Sequence, residues 1–184
     1  MIAGLLESRS VRALTRPFLI DMGYDAFDRG VALTTLSVGL TIAGTVAGGL
    51  VTTAVGLGHA LWMFGVVQIF SNGGYLLLAM LQRPNVAVMY GATGFEVFAA
   101  GLGMGAFGVL LFRLTDKRFS ATQYALFSSL FAVPRVVAGP LTGFTVSALG
   151  WPSFFLLTMA LGLPGLVMLA RFVPIGVREP DLGA

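Results

Sequence analysis

Two ionisable side chains stand inside long apolar runs, and any chemistry would be sought there first. Glu96 interrupts the apolar stretch 86–112, and Arg135 interrupts the stretch 123–149. A charge at mid-bilayer costs at least about 2.5–3.5 kcal/mol on insertion scales, so such a group normally faces a polar cavity or a partner. Glu96 lies roughly 24 Å of helix before Phe112, and Arg135 roughly 18 Å of helix after Gln123. On neighbouring antiparallel helices those depths differ by about one turn, and two long side chains span that difference. Glu96 then reads as a proton-titrating carboxyl, with Arg135 as its modulator or as a clamp for an anionic guest. A static ion pair that fixes two helices is the plainer alternative. The spacing allows both.

Other reactive types are scarce. The chain has no cysteine, and its one histidine, His59, sits in a turn. Thiolate chemistry is thereby excluded, and neither a metal site nor a cofactor is expected. No Ser/His/Asp arrangement or paired carboxylate at the membrane edge supports an enzyme. The run Gly103-Met104-Gly105-Ala106-Phe107-Gly108 spells the dinucleotide fingerprint, but it follows no strand and reads as helix packing. Gln68 and Asn72, four apart, share a helix face and are expected to hydrogen-bond a neighbouring helix. Asp21, Asp25 and Asp28 precede the first full apolar run, where acids act as helix caps.

The elements that must carry these residues are legible in the composition. Of 184 residues, 57% are hydrophobic and 10% charged, and the mean hydropathy is +0.90. A soluble domain carries about 25% charged residues, so the chain reads as an all-α membrane protein whose main partner is the lipid bilayer. Its net charge of +3 is scattered rather than clustered, and no nucleic-acid partner is expected. Five stretches, 31–55, 60–81, 86–112, 123–149 and 151–173, are long enough to cross a ~30 Å hydrocarbon core as helices. Residues 1–30 form a partial or interfacial helix and a turn, with Arg9, Arg12 and Arg16 opposite Val11, Leu14 and Phe18. The bundle occupies 31–173, and 174–184 reads as a disordered tail.

Glycine is abundant, and three Gly-x-x-x-Gly pairs fall inside the spans: Gly44/Gly48, Gly101/Gly105 and Gly139/Gly143. Such pairs let helix backbones approach closely, so all six glycines are expected to pack helix on helix. Ser120-Ala121-Thr122-Gln123 forms a capping box ahead of the fourth span. Pro134 and Pro140 flank Arg135 with freed carbonyls, a pattern that suits a broken helix at a binding site. Pro164 reads as a packing kink. Loop arginines and lysines divide evenly between the two ends, so the positive-inside rule gives no orientation.

One segment has a family likeness. Thr115 to Trp151, with Phe119-Ser120-Ala121-Thr122-Gln123-Tyr124-Ala125-Leu126, Arg135 and Gly139-Pro140, resembles the last third of the AmpG-like muropeptide permeases. These belong to the major facilitator superfamily and are related to the acetyl-CoA transporter family. The runs "PFLIDMGYDAFDRG", "FGVVQIFSNGGY" and "GFEVFAAGLGMGAF" resemble the same proteins in order and spacing. The sequence departs from the family pattern at Val97 and Pro134. The resemblance implies half of a major facilitator fold, its spans being the last five of twelve. It also implies import of anhydro-muropeptides driven by protons across the bacterial inner membrane. Glu96, Gln123, Tyr124 and Arg135 would line the substrate or proton pathway. The turn before residue 31 would be periplasmic, and the C-terminus cytoplasmic. Transport would then need the missing N-terminal half as partner. The alternative is a non-transporting membrane subunit that docks on another complex through its glycine faces.

Overall fold

The computed structural model describes residues 15–81, 84–114, 120–174 and 176–179, with the backbone alone at 114, over 120–142 and at 172. Helix 15–21 ends in a turn that the sequence Gly23-Tyr24-Asp25 dictates. Gly23 takes φ +79°. Its N–H donates to the Ile20 carbonyl at 3.0 Å, and that of Tyr24 to the Leu19 carbonyl at 3.1 Å. This pair of bonds is the Schellman arrangement, which glycine permits at no steric cost. Asp25 then starts the next helix, its carboxylate accepting the Phe27 N–H at 2.9 Å. A cap of this kind contributes about 1 kcal/mol.

Helix α1, Ala26–Val55, widens into a single π turn over Ala32–Leu36. Hydroxyls fold back onto the helix backbone there: Ser37 Oγ donates to the Ala32 carbonyl at 2.7 Å, and Thr34 Oγ1 to the Gly30 carbonyl at 2.5 Å. Helix α2 is Leu57–Met80, and α3 is Val86–Leu114. Asn85 caps α3 by accepting the Val88 N–H at 3.2 Å. Helix α4, Ser120–Phe172, contains one non-helical residue, Gly150 at φ +75° and ψ 167°, which parts it into limbs 120–149 and 151–172. The backbone stays helical through Pro134, Pro140 and Pro164, so no break flanks Arg135.

Among the described residues all regular structure is helical, and four segments are long and apolar enough to cross a membrane. These are Ala26–Val55, Leu57–Met80, Val86–Arg113 and Gly143–Arg171. Most of the expected span 123–149 lies where only the backbone is described.

Helices α1 and α3 run parallel and touch backbone to backbone. A Cβ on Gly44 would meet the Phe98 carbonyl oxygen, and one on Gly48 would lie 2.7 Å from Leu102 Cα. From the other side, a Cβ on Gly101 would lie 2.8 Å from the Thr41 oxygen, and one on Gly105 2.5 Å from Gly49 N. The four glycines therefore face each other as two ridges with no side chain between them. Gly139 lies outside the described side chains, and Gly143 faces open space.

Helix α2 runs antiparallel to α3, with Gly74 against Ala92. Limb 151–172 runs antiparallel to α2: Tyr75 stacks on Phe155 with centroids 5.5 Å apart, and Trp62 Nε1 donates to the Val173 carbonyl at 3.0 Å. Phe18 closes this aromatic group, 5.0 Å from Phe155 and 4.9 Å from Trp151. The bundle thus has an Asp25 end and a Gly56 end. Half of the apolar stretch of α3 is buried against neighbours, compared with 17% for α1, so α3 is the central helix. Val38, Ile42, Val46 and Leu50, each four apart, form an exposed apolar stripe along α1. Water would penalise that stripe, whereas hydrocarbon would not.

Candidate functional site

Several polar side chains are buried between the helices, while many large apolar ones face outward. Thr52, Ser71, Asn72, Thr93, Glu96 and Thr158 are all buried. Glu96 is fully buried, about 15 Å along α3 from Val86. At about 100° per residue it points away from the glycine ridge, so it faces neighbours other than α1. Met89, Thr93 and Ala100 share its side of α3, and all three are buried.

Thr93 stands one turn before Glu96, and its hydroxyl has no hydrogen-bond partner. The other buried serine and threonine hydroxyls of the spans close onto their own helices. Thr52 Oγ1 donates to the Gly48 carbonyl at 2.6 Å, and Thr158 Oγ1 to the Phe155 carbonyl at 2.8 Å. Leaving such a group unmet costs about 1–3 kcal/mol. The open hydroxyl and the buried carboxyl on one helix side make this the polar centre of α3. Its signal in sequence is only the i, i+3 spacing of a threonine and a glutamate, and sequence reasoning missed it.

The other three expected pathway residues, Arg135, Gln123 and Tyr124, lie on the helical limb 120–149 but outside the described side chains, as does any contact between Arg135 and Glu96. Asn72 is fully buried. Gln68 turns back on its own helix, its Nε2 donating to Ser71 Oγ at 3.2 Å, rather than reaching a neighbour. Four residues' spacing sets a face, but a nearby hydroxyl one turn on is a closer acceptor. His59 lies in the first turn of α2, where Nδ1 donates to the Val55 carbonyl at 3.2 Å, since a carbonyl can only accept.

The two ends hold the remaining charges. At the Asp25 end only one of the three aspartates caps a helix. Asp21 accepts the Trp151 indole N–H at 3.1 Å, and Asp28 accepts the Tyr90 hydroxyl at 3.0 Å. Both therefore tie α1 and its preceding turn to distant elements. At the Gly56 end, residues 176–179 lie against the bundle instead of forming the expected loose tail. The Gly58 N–H donates to the Arg178 carbonyl at 2.9 Å, and Arg113 forms an ion pair with Glu179.

The hydrogen bond from Arg113 pulls the Glu179 carboxyl below its ordinary range, helped by the Leu57 amide and Arg178. A carboxyl held more acidic in the docked state contributes fully above its undocked value, and that contribution is lost as pH falls through the docked one. The Glu179 contribution to docking of 176–179 should therefore be present at neutral pH and be lost as pH falls through and below the ordinary glutamate range, loosening the segment while its backbone bonds remain. Fluorescence of Trp62, which bonds the Val173 carbonyl beside this segment, reports the change in a Trp151→Phe background.

The sequence matches no family model. It is 43% identical over 158 residues to the anhydromuropeptide permease of Escherichia coli K12, covering 85% of this chain and 32% of that protein. An uncharacterized protein of Haemophilus influenzae is 32% identical over 171 residues, covering 88% of this chain and 40% of its own length. The AmpG 4 protein of Rickettsia felis is 32% identical over 157 residues, covering 85% and 38% respectively. The chain spans about a third of the length of the curated relatives it matches first. Its apolar helices and buried carboxyl fit such a setting, and the chain is thus homologous to one part of the AmpG-type permeases.

Proposed function

We propose that the chain is the C-terminal half of a proton-coupled permease that imports anhydro-muropeptides across the bacterial inner membrane. The observation that carries this reading is the 43% identity, over 158 residues, to a protein named for that activity. Five crossings result if each limb of α4 spans the bilayer, since Gly150 offers a turn between them. The Gly56 end, with Arg113, Arg171 and Arg178, is then the cytoplasmic one, as the likeness to those permeases implies. Carriers of this type rock one half against the other around a midplane site. The chain by itself supplies one wall of that site and does not transport alone. Glu96, with Arg135, Gln123 and Tyr124 on the adjoining limb, forms the proton and substrate pathway.

The reading is tested in membrane vesicles holding the chain with or without a six-span N-terminal half. Labelled anhydro-disaccharide-peptide should accumulate only when both halves are present, and collapse of the proton gradient should abolish it. Absence of uptake, together with stable co-purification with an unrelated membrane complex, would replace the permease half with a docking subunit.

A further inference from the structure

The turn between α1 and α2 leaves two helix ends without side-chain caps. Gly56, at φ +93°, is at once the C-cap of α1 and the N-cap of α2, and it has no side chain to serve either. A helix start presents unpaired N–H groups and a partial positive charge, and a helix end presents unpaired carbonyls and a partial negative one. Both needs are met from the far end of the chain. The Arg178 carbonyl accepts the Gly58 N–H at 2.9 Å, and the Arg178 guanidinium donates to the Ala54 carbonyl at 3.1 Å. The Glu179 carboxylate lies near enough to the Leu57 amide to be made more acidic by it, and it pairs with Arg113 in the last turn of α3.

Every charge here sits at a helix pole of opposite sign. Arg178 lies at the end of α1, Glu179 at the start of α2, and Arg113 at the end of α3. The fit also depends on bare backbone. A Cβ on Gly58 would run into the Val177 carbonyl oxygen, and one on Gly56 would meet Arg178. The root of the segment is anchored too, since Val173 is buried and its carbonyl accepts from Trp62.

We propose that residues 176–179, rooted at Val173, are a strap that caps both helix ends at the Gly56 turn, fixing α1, α2 and α3 as one unit at this end, with Arg113–Glu179 as its latch. Undocking would leave the first amides of α2 and the last carbonyls of α1 to solvent. The strap is independent of what, if anything, the chain transports.

Hydrogen exchange of the first-turn amides of α2, in the full chain in detergent, tests this with opposed signs. Alanine is a better helix former than glycine, so Gly58→Ala should slow exchange there if the strap is irrelevant. If the strap caps α2, its Cβ displaces Val177 and those amides exchange faster, by about tenfold or more, while the middle of α2 is unchanged. Glu179→Gln should speed the same amides by less, and removal of residues 176–184 by at least as much as Gly58→Ala. Slower or unaltered exchange in Gly58→Ala overturns the strap. So does unaltered exchange after removal of 176–184, a change that does not touch the folded helices.

Discussion

Gly48→Leu is expected to part α1 from α3 and to lower the stability of the bundle by about 3 kcal/mol or more. The position has no slack. Even a methyl there would lie 2.7 Å from Leu102 Cα, and a leucine adds three further carbons. Since the obstacle is backbone rather than a flexible side chain, no rotamer change relieves it. The helices must separate, and with them go the contacts of Gly44, Gly101 and Gly105. In lipid, where apolar surface gains nothing by leaving solvent, close packing of this kind is the main force between helices. Gly39→Leu on the same helix is the control, because Gly39 faces open space; its change should stay within about 0.5 kcal/mol. Unfolding in mixed detergent micelles reads both. Equal midpoints for the two variants would show that the α1–α3 contact does not hold the bundle together.

Glu96→Gln should separate structure from transport. Glutamine keeps the size and hydrogen-bonding capacity of the carboxyl but cannot take up or release a proton. Because Glu96 is fully buried, the neutral replacement also avoids the cost of holding a charge out of water. Folding should therefore survive, with stability within about 1 kcal/mol of the parent. Proton-driven uptake by the assembled permease should fall by roughly tenfold or more, as expected when a proton-transferring group is lost. Exchange of substrate without a proton gradient should persist. Unchanged gradient-driven uptake would assign Glu96 to helix packing alone. Loss of folding would do the same, by showing that the charge itself is needed to hold the helices, as in a static ion pair.

Much of this protein is written in local pattern. Long uncharged runs declare helices that lipid tolerates, because every backbone group in a helix is satisfied within it. Gly23 and Asp25 set the turn before α1, since a left-handed residue and a capping carboxylate act on their nearest neighbours. The likeness to AmpG-type permeases is also carried by residue order alone. Which glycine pair meets which is a different matter. Gly44/Gly48 could face any small-residue ridge, and only the arrangement of α2 between the two chain segments brings α1 alongside α3 in parallel.

Partner choice at the ends likewise came from the tertiary structure. Three aspartates of similar setting read alike in sequence, yet Asp25 caps its own helix while Asp21 and Asp28 reach Trp151 and Tyr90. The segment 176–179 has the composition of a loose tail, with glycine and opposite charges. It is held because an uncapped turn, distant in sequence, lies beside it with the complementary charges. Capping and hydropathy act over a few residues and can be read along the chain. Hydrogen bonds and ion pairs depend on what the fold brings near, and they became visible only once the helices had been placed.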